Sequence, residues 1–154
     1  MLSREERKSH NEAFWGLLKK QLRKHMSSTG HRINWLKYPT DINHFYLRLS
    51  SNGKESAVHF DVQVRDKEIR HLIWDQLLEL KALMESNIHI KASWEMDYMN
   101  SEGLEISRIS WRLENTNYYH TDDWKKIHAF YIKILIEFDR FYQEYKDILK
   151  NLVE

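Results

Sequence analysis

Asn43-His44-Phe45-Tyr46-Leu47-Arg48-Leu49-Ser50-Ser51 runs into Asn52-Gly53 and returns through Ser56-Ala57-Val58-His59-Phe60-Asp61-Val62-Gln63-Val64. Apolar and polar residues alternate on both sides of Asn52-Gly53, the period of a strand with one buried face. Asn-Gly between two such runs is a strong hairpin signal, because both central positions of a type I′ turn favour positive φ. The stretch therefore predicts strands over about 43–51 and 56–64, with Ser51 opposite Lys54. In that register Phe45 faces Phe60 and Leu47 faces Val58, with Leu49 and Val62 on the same apolar side. The other side carries His44 across from Asp61, Tyr46 across from His59, and Arg48 across from Ala57, and Gln63 extends the row.

Outward from the hairpin, helical periods take over. Ser3 and Glu6 have capping-box spacing, and Phe14, Leu17, Leu18, Leu22 and Met26 predict one stripe of a first helix. Ile33 to Tyr38 reads as a short extended piece before Pro39. Asp66 is a candidate N-cap for a helix over about 67–86, with Ile69, Leu72, Ile73, Leu77, Leu80 and Leu83/Met84 as its stripe. A second hairpin is expected over 93–100 and 104–114, turning at Ser101-Glu102-Gly103. Pairing Ser101 with Leu104 would set Trp94 against Trp111, Met96 against Ile109 and Asp97 against Arg108. Thr121, with Asp122 and Asp123 behind it, is a candidate start for a last helix running nearly to the end. The chain then reads as one α+β domain over 1–154, ordered α-β-β-β-α-β-β-α. Antiparallel hairpins pack with long helices. The apolar face of the last helix is wide, and a homodimer through 122–152 is one expected way to cover it.

Composition narrows the functions. With 154 residues, 42% hydrophobic and 31% charged, the chain suits one globular core. It has no cysteine, which excludes disulfides, thiolate metal sites and thiol nucleophiles. No apolar run nears a membrane span of about 20 residues, and Met1 to His10 has no apolar signal stretch, so a cytoplasmic protein without a membrane partner is expected. The net charge of +1 hides an asymmetry. Residues 1–54 hold 11 Lys/Arg and 4 Asp/Glu, a net +7, and residues 55–154 hold 13 and 19, a net −6. Either the basic half faces nucleic acid, or the halves neutralise one another in the fold.

Chemistry-bearing residues gather on the polar side of the first hairpin. His44, Tyr46, Arg48, His59 and, from the second hairpin, Arg108 are candidate binding residues; an ordinary solvated sheet face is the alternative. The nine histidines show no HExxH and no strong metal spacing. A helix, strands and acids in this order are also compatible with a restriction-endonuclease-like domain. Such a site needs one acid near the second strand and an acid-x-Lys on the third, holding a divalent cation such as Mg²⁺. Asp41 and Asp61-Val62-Gln63 would fill these places, with Glu12 as a third oxygen ligand. Gln63 departs from the pattern, since it cannot supply the cation of Lys. Outside this nuclease reading no cofactor is expected.

Four stretches together resemble a known family. They are Ile33-Asn34-Trp35-Leu36-Lys37-Tyr38, Gln76 to Met84, Glu102 to Ile109, and Trp124-Lys125-Lys126-Ile127 through Leu135 to Phe141. The chain is similar along nearly its whole length to the bacterial domain of unknown function 4268 in its short form. The resemblance implies a nucleic-acid context, because longer relatives place a similar domain behind nuclease-like or defence-related segments. It implies core roles for Trp35, Leu80 and Ile106. Arg108 and Asp139 are charged residues inside the resembling stretches; Asp97 is the expected partner of Arg108, and an Arg or a Trp N–H that of Asp139. The expected function is a non-enzymatic accessory or binding domain for nucleic acid or protein, with the nuclease and the structural homodimer as alternatives.

Overall fold

In the computed structural model, which describes residues 2–153, four α-helices, two 3₁₀ turns and four strands follow the expected α+β order. Helix α1 (Arg4–Leu22) opens with the capping box: Ser3 Oγ accepts from the Glu6 amide at 3.1 Å, and Glu6 Oε1 accepts from the Ser3 amide. Its buried stripe is Phe14, Leu18 and Leu22, while Leu17 and Met26 are exposed. A strict four-residue step keeps only one narrow face on the core.

The segment expected to be extended winds instead as a 3₁₀ turn, Trp35–Lys37. Asn34 caps it by accepting from the Lys37 amide, and the buried Trp35 indole N–H donates to the His25 carbonyl at 3.1 Å. Strands β1 (Phe45–Ser51) and β2 (Glu55–Val62) follow, with Ser51 opposite Ser56 rather than Lys54. The type I′ turn does not form. Neither Asn52 nor Gly53 has positive φ, and Asn52 Oδ1 accepts from the Lys54 and Glu55 amides at 2.8 and 2.9 Å. That Asx arrangement lengthens the loop and slides the register by two residues. A slip of two preserves the faces. Phe45, Leu47, Val58, Phe60 and Val62 are buried as expected, but the partners become Phe45–Val62, Leu47–Phe60 and Leu49–Val58. On the other side Tyr46 lies across from Asp61 and Arg48 from His59, while His44 precedes the strand.

Helix α2 (Lys67–Glu79) starts on the Asp66 cap, whose side chain accepts from the Ile69 amide at 3.1 Å. It stops at Leu80, and α3 (Lys81–Asn87) continues as a separate helix. Ile73, Leu77, Leu80 and Met84 are buried as expected, but Ile69, Leu72 and Leu83 are exposed, and Arg70 and Trp74 are buried instead. The rotation follows from Arg70, whose guanidinium enters the core and donates to the Met96 carbonyl and Ser107 Oγ at 2.6 and 2.8 Å.

Strands β3 (Ser93–Met99) and β4 (Glu105–Glu114) pair with Met99 opposite Glu105. Asn100 widens this loop as Asn52 widens the first, its Oδ1 accepting from the Glu102 and Leu104 amides, both at 2.9 Å. A one-residue slip would turn every side chain over. A bulge between Glu95 and Tyr98 adds a second residue and restores the faces, so Trp94 meets Ile109 rather than Trp111. Asp97 lies in the bulge, paired with Arg70 and His71, and Arg108 takes a different partner.

The four strands form one antiparallel sheet in the order β1-β2-β4-β3. After a 3₁₀ turn (Thr121–Asp123), α4 (Trp124–Val153) runs 30 residues, roughly 45 Å, and packs against the sheet's inner face, α1, α2 and α3. Its buried residues include Ile127, Tyr131, Ile134, Phe138 and Tyr142, so most of its wide apolar face is covered by its own chain. Ile148 and Leu152 are its exposed large hydrophobic residues among those described. No described helix is long and apolar enough to cross a membrane.

Candidate nucleic-acid interface

The charge asymmetry survives folding. Among the described residues, only two ion pairs join the two halves of the chain, Arg48–Asp61 and Lys146–Asp41. Of the basic residues in 1–54, only Arg48 has a carboxylate partner among the described residues. Lys19, Lys20, Arg23, Lys24, Arg32 and Lys37 are exposed. The last turn of α1 favours Lys19 and Lys20, because helix carbonyls end there.

Arg32 reaches back to the same helix end, Nη1 donating to the Arg23 carbonyl at 2.7 Å. Between them lies an open groove of about 310 Å³ whose charged lining is Lys19, Arg23 and Arg32. A second groove, about 370 Å³, shares Leu36 with the first and continues past Lys37 to Tyr46 and Arg48 on β1. No acid lines either groove. The result is one basic track from the end of α1, over the 3₁₀ turn, to the edge of the sheet.

A buried carboxylate anchors this track. Asp139, on α4, accepts from Ser27 Oγ at 3.0 Å, the Ser28 amide at 2.8 Å and the Tyr38 hydroxyl at 2.5 Å. These donors, not the expected Arg or Trp N–H, satisfy it. Gln143 Nε2 donates to the Tyr38 hydroxyl at 3.0 Å. Burial, then the Asp139 hydrogen bond, push the Tyr38 hydroxyl pKa well above its ordinary value, so it stays a donor. The segment 27–38, which carries Arg32 and Lys37, is thus tied to the central helix at both ends.

Beyond the track lies the outer face of the sheet, opposite α4. Asp61 is fully buried there and takes three hydrogen bonds: Arg48 Nη1 at 2.8 Å, Arg108 Nε at 2.7 Å and Arg108 Nη2 at 2.8 Å. Arg48 Nη2 also donates to Gln63 Oε1 at 3.2 Å. One carboxylate holding two guanidiniums leaves the trio with a net positive charge. Each guanidinium also lies over a ring: Arg48 on Tyr46 at 4.3 Å and Arg108 on Tyr98 at 4.5 Å. Burial opposes the Arg108 charge, but the Asp61 hydrogen bonds and charge raise its pKa. Arg112 completes the row of arginines, donating to Glu55 and to Ser93. Beneath them His59 bridges Ser110 at 2.7 Å and Ser50 at 3.0 Å, and burial and then Arg108 lower its pKa to about 4.

The expected site residues divide accordingly. Tyr46, Arg48, His59, Asp61, Gln63 and Arg108 come together on the outer face. His44 is exposed ahead of β1 with φ 71°, its carbonyl accepting from the Gln63 amide at 2.7 Å. Asp41, also exposed, pairs with Lys146 Nζ at 2.7 Å, and Glu12 is exposed on α1. Among the described residues no group of three His, Asp or Glu side chains is placed to hold a metal ion, so Asp41, Asp61 and Glu12 do not form one. Both Asp61 oxygens are occupied by arginine. Arg112, Tyr98 and the buried Arg70 escape the sequence reading.

No curated protein and no solved structure matches the chain. A family pattern does match, over residues 11–146 of the 154, and it contains the basic track, Asp139 and the whole sheet. The chain therefore belongs to the family described as Domain of unknown function (DUF4268).

Proposed function

We propose that the chain is a non-enzymatic nucleic-acid-binding domain that engages the phosphate backbone along the basic track. The observation that carries this reading is the set of exposed Lys and Arg side chains between α1 and β1 that no carboxylate neutralises. Lys19, Arg23, Arg32 and Lys37 lie along two connected acid-free grooves that end at the Asp61-paired Arg48, an arrangement suited to a chain of phosphates. The family resemblance to domains found in nuclease-like contexts points the same way.

The test is an anisotropy titration of labelled oligonucleotides at several salt concentrations. Four phosphate contacts, one each from Lys19, Arg23, Arg32 and Lys37, give a log K against log salt slope of about −2.8 to −3.6. Lys19→Ala and Arg23→Ala, both exposed, each reduce the slope by about one and weaken all sequences alike. Absent binding, or binding indifferent to salt, overturns the reading.

A further inference from the structure

The outer sheet face continues the basic track, and its chemistry differs from that of the track. We infer that this face takes unpaired bases, so that the ligand is single-stranded nucleic acid; the inference rests on the nucleic-acid reading above. Tyr46, Asp61 and Arg108 lie directly opposite one another across β1, β2 and β4. Tyr98 on β3 completes the row through its contact with Arg108. Two guanidinium-on-ring pairs, Arg48 on Tyr46 and Arg108 on Tyr98, thus stand on the outer face of the sheet. All four are flat and can stack on a base.

Asp61 gives this platform its order. A fully buried carboxylate bonded to both arginines fixes their planes over Tyr46 and Tyr98, so little side-chain freedom is lost on stacking. Tyr46 and Tyr98 stand on the two edge strands, about 14 Å apart at the usual strand spacing. Four-stranded sheets carrying aromatic residues accommodate about two or three bases in this way. Charge sets the direction. The acid-free grooves adjoin β1, whereas Glu95 on β3 lies across from Arg108 and Glu55 holds Arg112. Phosphates therefore follow the β1 side, and bases extend inward over the sheet. A duplex keeps its bases stacked inside and cannot use the rings.

The experiment compares a labelled oligothymidylate of about 12 nucleotides with a duplex of the same length at fixed low salt. The single strand binds more tightly. Tyr98→Ala weakens it by about tenfold and leaves the salt slope and duplex affinity unchanged, whereas Tyr46→Ala, whose ring also lines the second groove, weakens the single strand by about tenfold and more than it weakens the duplex. Tyr46→Phe keeps the ring and restores binding. Circular dichroism and the urea midpoint show that the alanine variants are folded. Equal or tighter duplex binding, with both alanine variants binding like the parent, overturns the inference while leaving the backbone-binding reading intact. No binding to either oligonucleotide overturns both.

Discussion

His59 is bracketed by two hydroxyls, Ser50 and Ser110, each able to donate or accept. Either tautomer of the neutral ring is satisfied there; the imidazolium is disfavoured, because burial withholds water and Arg108, Arg112 and Arg48 surround it. The folded pKa of about 4 lies below the ordinary 6.5, so the unfolded chain binds more protons between these values. Stability contributed by neutral His59 is complete above pH 6.5 and is lost as pH falls toward 4. Urea midpoints at pH 7.5 and pH 5 should differ by about 1–2 kcal/mol in stability for this group, a figure reduced for solvent reaching the arginines. His59→Gln should flatten that part of the pH profile; a profile identical to the parent's would place its cause elsewhere. Asp61 explains why so basic a cluster is tolerated beside His59, since its negative charge partly offsets the arginines.

At the level of elements, the two hairpin loops share a device. Asn52 and Asn100 each use the side-chain carbonyl to take two loop amides, and each loop comes out longer than its sequence suggests. Gly53 consequently needs no positive φ, and a Cβ there would meet nothing nearer than 3.8 Å, at Asn117 and Tyr119. Gly53→Ala should stay within about 0.5 kcal/mol of the parent, whereas Asn52→Ala should cost about 1 kcal/mol by chemical denaturation. A type I′ turn would reverse that order. The same loops mark the limit of what the sequence reveals. Faces were legible, because period-two alternation survives a slip of two residues. Registers were not, because side-chain competition for loop amides leaves no trace in the alternation. Tyr98 was missed for that reason and because of the bulge. Arg70 was missed because an arginine beside Ile69 reads as solvated, yet the bulge carbonyl of Met96 draws it inward. The α2–α3 break at Leu80 has no Gly or Pro to announce it. Of the candidate site, the outer-face residues were readable as a group, whereas the basic track was visible only as a charge asymmetry.

In the whole molecule, Asp139 links the central helix to the segment that carries the track. Asp139→Ala leaves the Ser27 hydroxyl, the Ser28 amide and the Tyr38 hydroxyl without their acceptor. The expected cost is about 3 kcal/mol, with faster hydrogen exchange at the Ser28 amide and weaker oligonucleotide binding under conditions where the variant is folded. An unchanged Ser28 exchange rate would show that the segment holds its place without α4. The arrangement also has a consequence for synthesis. The helix that the other elements pack on is the last of the domain to leave the ribosome. Tyr131 and Tyr142 on it meet Ser50 and Thr40, residues made 81 and 102 positions earlier. Until then Phe60, Trp111 and their neighbours have no apolar cover, and both hairpins wait as exposed strands. Folding of this domain is therefore completed only after translation has passed α4, and until then its sheet lacks the cover that keeps strands from associating.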